Sequence, residues 1–191
     1  MKKRLMALSV VILGSFPCVA ARSSELDDRL GLSIENVSTN TVVISTNLLD
    51  SVSHDVFETP MDVLVASPDP FFPDVAFRAV MQWGESGGVH SGRVVVRQFA
   101  TASNALQWVQ LKVHGTTMLD DNLASHYSTR PDVADVCLCW HTGETNKLDS
   151  SISSVTILRG NLVTVTSGTP GTNLVKAASY IMDAFCTRPL Q

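Results

Sequence analysis

Cys137, Cys139 and His141 stand at positions i, i+2 and i+4. On a β-strand that spacing turns all three side chains to one face, because successive side chains alternate. Two thiolates and an imidazole in one row suit a soft metal such as copper or zinc. Asp135 extends the row by one step, and His126 in the preceding loop can reach it. The competing reading is structural. In an oxidising compartment one of the two cysteines closes a disulfide with Cys186 near the end of the chain. Cys139 is the expected partner, with Cys137 as the alternative because both point the same way.

A second pattern, Gly84-Glu85-Ser86-Gly87-Gly88, fits G-x-S-x-G and resembles the Gly-Asp-Ser-Gly-Gly of trypsin-like serine proteases over five residues. A nucleophile elbow must pass from strand into helix to expose its serine, whereas Val89 onward leads into another strand. A trypsin-like arrangement also needs a first barrel carrying His and Asp, and between Arg22 and Ser86 only His54 is available as the base. The segment therefore reads as a hairpin turn. His54, His90 and His114 fall at element ends or in loops with no nucleophile at a matching spacing. Leu119-Asp120-Asp121-Asn122 lacks the glycine and distal glutamate of an EF-hand. Two apolar features are candidates for recognition: Phe71-Phe72, held between prolines, for a partner, and Met118, Leu119, Leu123, His126 and Tyr127 of the long loop over residues 116–132 for the lining of a small-molecule pocket.

The elements that must position these residues are legible from periodicity. Residues 75–83 alternate with period two, and Arg93–Phe99 returns the chain as an antiparallel partner. Thr101 or Ser103 caps a helix running to about His114, with Leu106, Val109 and Val113 on one stripe and Gly115 as its stop. Val133–His141 is apolar on both faces. Ser154–Arg159 and Leu162–Thr166 form a hairpin over Gly160-Asn161. After Pro170-Gly171-Thr172, the residues Leu174, Ala177, Ala178, Ile181, Met182 and Phe185 mark the strongest helical stripe in the chain. Upstream, residues 22–60 are polar, with Leu32-Ser33-Ile34 and Thr41–Ser45 as the elements of a weak hairpin or docked arm. The expected class is α+β: a two-layer sandwich, mostly antiparallel and built from hairpins, with both amphipathic helices on one face. Residues 61–191 form that domain.

The N-terminus assigns the compartment. Met1-Lys2-Lys3-Arg4, an apolar run from Ala7 to Phe16 and the exit Val19-Ala20-Ala21 have the form of a secretory signal peptide over residues 1–21. The run is too short to span a bilayer, so no transmembrane anchor is expected after cleavage. Cys18 follows Ser15-Phe16-Pro17, which are too bulky or rigid for a lipid-attachment signal. The whole chain carries a net charge of −4, and losing Lys2, Lys3 and Arg4 makes the remainder more acidic. The remaining basic residues are scattered singly, which argues against a nucleic-acid partner. The expectation is an exported, periplasmic or secreted, non-catalytic binding or envelope-associated protein with no cofactor, taking an unidentified protein or small-molecule ligand. Its alternative is a small extracytoplasmic metal-binding protein or enzyme using Cys137, Cys139 and His141.

Overall fold

The alternating run at 75–83 folds as strand β2 (Val75–Trp83), flanked by β1 (Val63–Val65) and β3 (Gly92–Phe99). The remaining strands are β4 (Tyr127–Thr129), β5 (Val136–His141), β6 (Ile152–Arg159) and β7 (Leu162–Gly168). The computed structural model describes residues 24–39, 41, 63–65, 75–83, 92–118, 120–143, 149–168 and 174–187. The strands form one seven-stranded sheet in the order β1-β2-β3-β7-β6-β5-β4, antiparallel at every pairing. With three helices beside it, the class is α+β. The helices are α1 (residues 24–30), α2 (Ala102–Thr117) and α3 (Leu174–Thr187). Among the described residues no helix is long and apolar enough to cross a membrane.

The two long helices lie on opposite faces of the sheet, which corrects the expectation of a two-layer sandwich with both on one face. Cys137, Cys139, Val155 and Ile157 pack with Ile181 and Phe185 of α3. Their strand neighbours Val136, Leu138 and Leu158 pack with Leu106 and Val109 of α2. The cause is the two-sided apolarity of β5 to β7: a sheet greasy on both faces must be covered on both. The result is three layers, helix on sheet on helix. The α3 stripe forms as expected, with Leu174, Ala178, Ile181, Met182 and Phe185 all buried, although Val175 rather than Ala177 completes it.

Local chemistry sets several boundaries. Thr101 Oγ1 accepts from Asn104 N at 3.1 Å and caps α2. The helix does not stop at Gly115 but runs through it to Thr117, whose hydroxyl bonds back to Val113 O. At the β6–β7 turn Gly160 adopts φ 56°, a conformation favouring glycine. Asn161 then ties the turn to β3, its side chain donating to Phe99 O and its carbonyl accepting from Phe99 N, both at 2.9 Å. The long loop is ordered by a 3₁₀ turn, Asp121–His126, and by β4. Residues 131–135 are turn rather than strand, so β5 begins at Val136 and not Val133.

Upstream, Leu32-Ser33-Ile34 is not a strand: α1 and a 3₁₀ turn, Ile34–Asn36, form an arm docked against α2. Leu30, Leu32 and Val37 are buried in the core of that face. Asp27 Oδ1 meets His114 Nε2 at 2.8 Å, and Gln110 donates to Leu32 O at 3.0 Å. Thr41 apart, the second half of the expected hairpin lies outside the described residues.

Candidate functional site

Strand alternation does place Cys137, Cys139 and His141 on one face of β5, the face covered by α3. His141 is 2% exposed. Its Nε2 lies 2.8 Å from Ser128 Oγ on β4, and its Nδ1 lies 2.7 Å from Ser151 Oγ, next to β6. Both ring nitrogens thus face serine hydroxyls, each of which can donate or accept. The imidazole fastens three segments at one end of the sheet. The β5–β6 pairing shifts register between Trp140 and His141, beside this arrangement.

The remaining metal candidates are not gathered around it. His126 Nδ1 donates to the His141 carbonyl at 3.0 Å, and its ring stacks on Trp140 at 5.1 Å and 21°. Among the described residues no three His, Cys, Asp or Glu side chains approach closely enough to hold a metal ion. The Cys137 thiol is pushed far above its ordinary range, first by its hydrogen bond with Cys139 and then by burial. Asp135 is committed elsewhere, its Oδ2 accepting from Ser38 N at 2.9 Å and Gly160 N at 3.3 Å. It clamps the arm to the β6–β7 turn, on the wall of a cleft of about 530 Å³ that Arg29 and Asn36 also line.

The Cys139–Cys186 disulfide is likewise absent: Cys137, Cys139 and Cys186 are all free thiols. Cys139 is fully buried in the sheet. Cys186 sits half-buried at the end of α3, with Sγ 3.7 Å from Met182 Sδ. Burial raises the Cys186 thiol above its usual range, opposed by Arg159. Phe71, Phe72, His54, His90 and the Gly84–Gly88 motif lie outside the described residues. β2 ends at Trp83 and β3 begins at Gly92, paired antiparallel, so the motif connects two strands.

On the α2 face, register aligns residues that sequence reasoning left unassigned. Arg78, Arg97, Val163, Leu158 and Val136 form one row across the sheet, followed by Val80, Val95, Val165, Thr156 and Leu138. A third row holds Arg93, Ser167, Ser154 and Trp140. The second row is largely covered, whereas Arg93 is exposed and Ser167, Ser154 and Trp140 are partly so. Lys112 of α2 reaches down to Thr156, Nζ to Oγ1 2.7 Å. Arg97 lies 4.6 Å above the Trp108 ring and Lys112 5.9 Å from it. The sequence signal for this group is period-two alternation placing Arg93 and Arg97 on one face of β3. Their meeting with Lys112 depends on where α2 docks. No protein-family model matches the chain, and no curated protein matches it.

Proposed function

We propose that this chain is an exported, non-catalytic binding protein with a leader over residues 1–21, which holds a small-molecule ligand on the partly open end of the sheet beside α2. One observation carries the reading. The side chains with nucleophilic or ligating chemistry on β5 are turned into the core, the two cysteines engaged with each other and His141 with Ser128 and Ser151, while Arg93, Ser167, Ser154 and Trp140 share one less-buried row on the other face. Polar groups lined up along one row with an aromatic ring on a rigid sheet can hold a small ligand. Export supports the same reading, since capture of solutes outside the cytoplasm requires no nucleotide or reduced thiol.

The test has two parts. N-terminal sequencing of the secreted or periplasmic product should begin at or near Arg22, and a product keeping Met1 in the membrane fraction would refute export. Amide spectra of the mature protein, screened against small polar and charged solutes, should show shifts concentrated at Ser154, Ser167 and Trp140 with the solute recovered unchanged. Covalent labelling of Ser128 by a fluorophosphonate, abolished in His141→Asn, would overturn the non-catalytic assignment, because the 2.8 Å Ser128–His141 contact would then be an activated nucleophile.

A further inference from the structure

The docked arm and the start of β5 enclose a cleft of about 530 Å³, inside the roughly 300–1,000 Å³ usual for small-molecule sites. One wall is the arm, with Asp28 and Arg29 on the last turn of α1 and Gly31 and Asn36 beyond it; the other carries Thr129 of β4 and Asp135. Both walls are tied down. Asp27 meets His114, Gln110 donates to Leu32 O, and Ser38 N donates to Asp135 Oδ2 across the cleft's far end. Gly31 turns the arm at φ 69°, a conformation favouring glycine, and Asn36 Nδ2 fastens the bend by donating to Gly31 O at 3.0 Å.

The charged groups of this cleft are only partly used. Arg29 Nη2 donates to Ala124 O at 2.8 Å, which engages one of the five N–H groups of a guanidinium. Asp135 takes both of its hydrogen bonds on Oδ2, and among the described residues its Oδ1 has no partner. Nor, among those residues, does either Asp28 or Asp135 form an ion pair with Arg29, although all three line one cleft. A guanidinium and two carboxylates that share a cleft without neutralising one another are complementary to a solute carrying both signs.

We propose that this cleft binds a small zwitterion, an amino acid or a related amino-carboxylate. The carboxylate of the solute pairs with the Arg29 fork, the geometry in which a guanidinium binds best. Its ammonium donates to Asp28 and to Asp135 Oδ1. Two acids against one base favour a basic amino acid over a neutral one. The site shares no residue with the row of Arg93, Ser167, Ser154 and Trp140 and goes beyond the binding assigned there.

The experiment follows amide spectra of the mature protein during titration with L-lysine, with cadaverine, which lacks the carboxylate, and with glutarate, which lacks the amines. Potassium chloride holds the ionic strength constant. L-lysine should give saturable shifts at Gly31, Thr129 and Asp135, weakened about fivefold or more in both Asp28→Asn and Arg29→Gln, each of which removes a charge-assisted hydrogen bond. Both side chains are exposed, so each variant should keep the dispersed spectrum of the folded protein. Shifts that fail to saturate, or that persist undiminished in both folded variants, overturn the proposal. Cadaverine or glutarate binding as tightly as L-lysine overturns it too, because one of the two charges would then go unread. If L-lysine is silent at these amides while another solute shifts Ser154, Ser167 and Trp140, the binding reading stands and the zwitterion site falls.

Discussion

Replacing Lys112 by Met should make the protein more stable. The methionine keeps most of the aliphatic stem against Trp108 and removes the ammonium. In the folded chain burial, then Arg97, holds the Lys112 pKa at about 8 rather than 10.5. That difference corresponds to roughly 3 kcal/mol of penalty on the charged form, at about 1.4 kcal/mol per pH unit. Against it stand the Thr156 hydrogen bond, about 1 kcal/mol, and the contact with Trp108, about 0.5–1 kcal/mol. The net expectation at pH 6 is a gain of about 1–2 kcal/mol. The pH dependence carries a definite sign. Between pH 8 and 10.5 the unfolded chain binds more protons at this lysine than the folded chain does, so wild-type stability rises with pH across that window relative to the variant. Below pH 8 the penalty is complete and constant, and above 10.5 it has vanished. Urea unfolding of both proteins at intervals from pH 6 to 10.5, followed by tryptophan fluorescence, measures the difference. Parallel stability curves, or a variant less stable at pH 6, would refute the claim that Lys112 is a buried charge held at a cost.

Three further outcomes follow from the core and the β5 row. Phe185→Ala should cost about 3–5 kcal/mol in urea unfolding, because the ring is 1% exposed beneath α3. Iodoacetamide on the native, unreduced protein should modify Cys186 faster than Cys137 and Cys139, and all three should react in denaturant without reductant; a protected pair under those conditions would reveal a cross-link. His141→Ala should lose about 2–4 kcal/mol, combining a cavity with two serine hydroxyls left without their ring partner, by chemical denaturation.

Local pattern in the chain is enough to locate most elements. Alternation at 75–83, the Gly160-Asn161 turn, the Thr101 cap and the apolar stripe ending at Phe185 each depend on neighbours a few residues apart, so each is legible before any tertiary contact exists. The same holds for the shared face of Cys137, Cys139 and His141, a consequence of strand pleat alone. Gly115 shows the limit of such signals: a glycine favours a helix end without enforcing one, and the backbone runs on to Thr117.

What those residues do was decided by contacts far apart in sequence. The imidazole of His141 met Ser128 and Ser151, and Cys186 came to rest beside Met182, so among the described residues there is neither a metal-binding cluster nor a disulfide. Alternation marks which residues share a face but not which face a later helix will cover, and α2 and α3 took opposite sides because β5 to β7 are apolar on both. The same docking set Lys112 of α2 down onto Thr156 and beside Trp108, whose ring Arg97 of β3 also covers. Composition sums charge over the whole chain, whereas the field at Lys112 depends on distance, and only the folded sheet brings the Arg97 charge beside it.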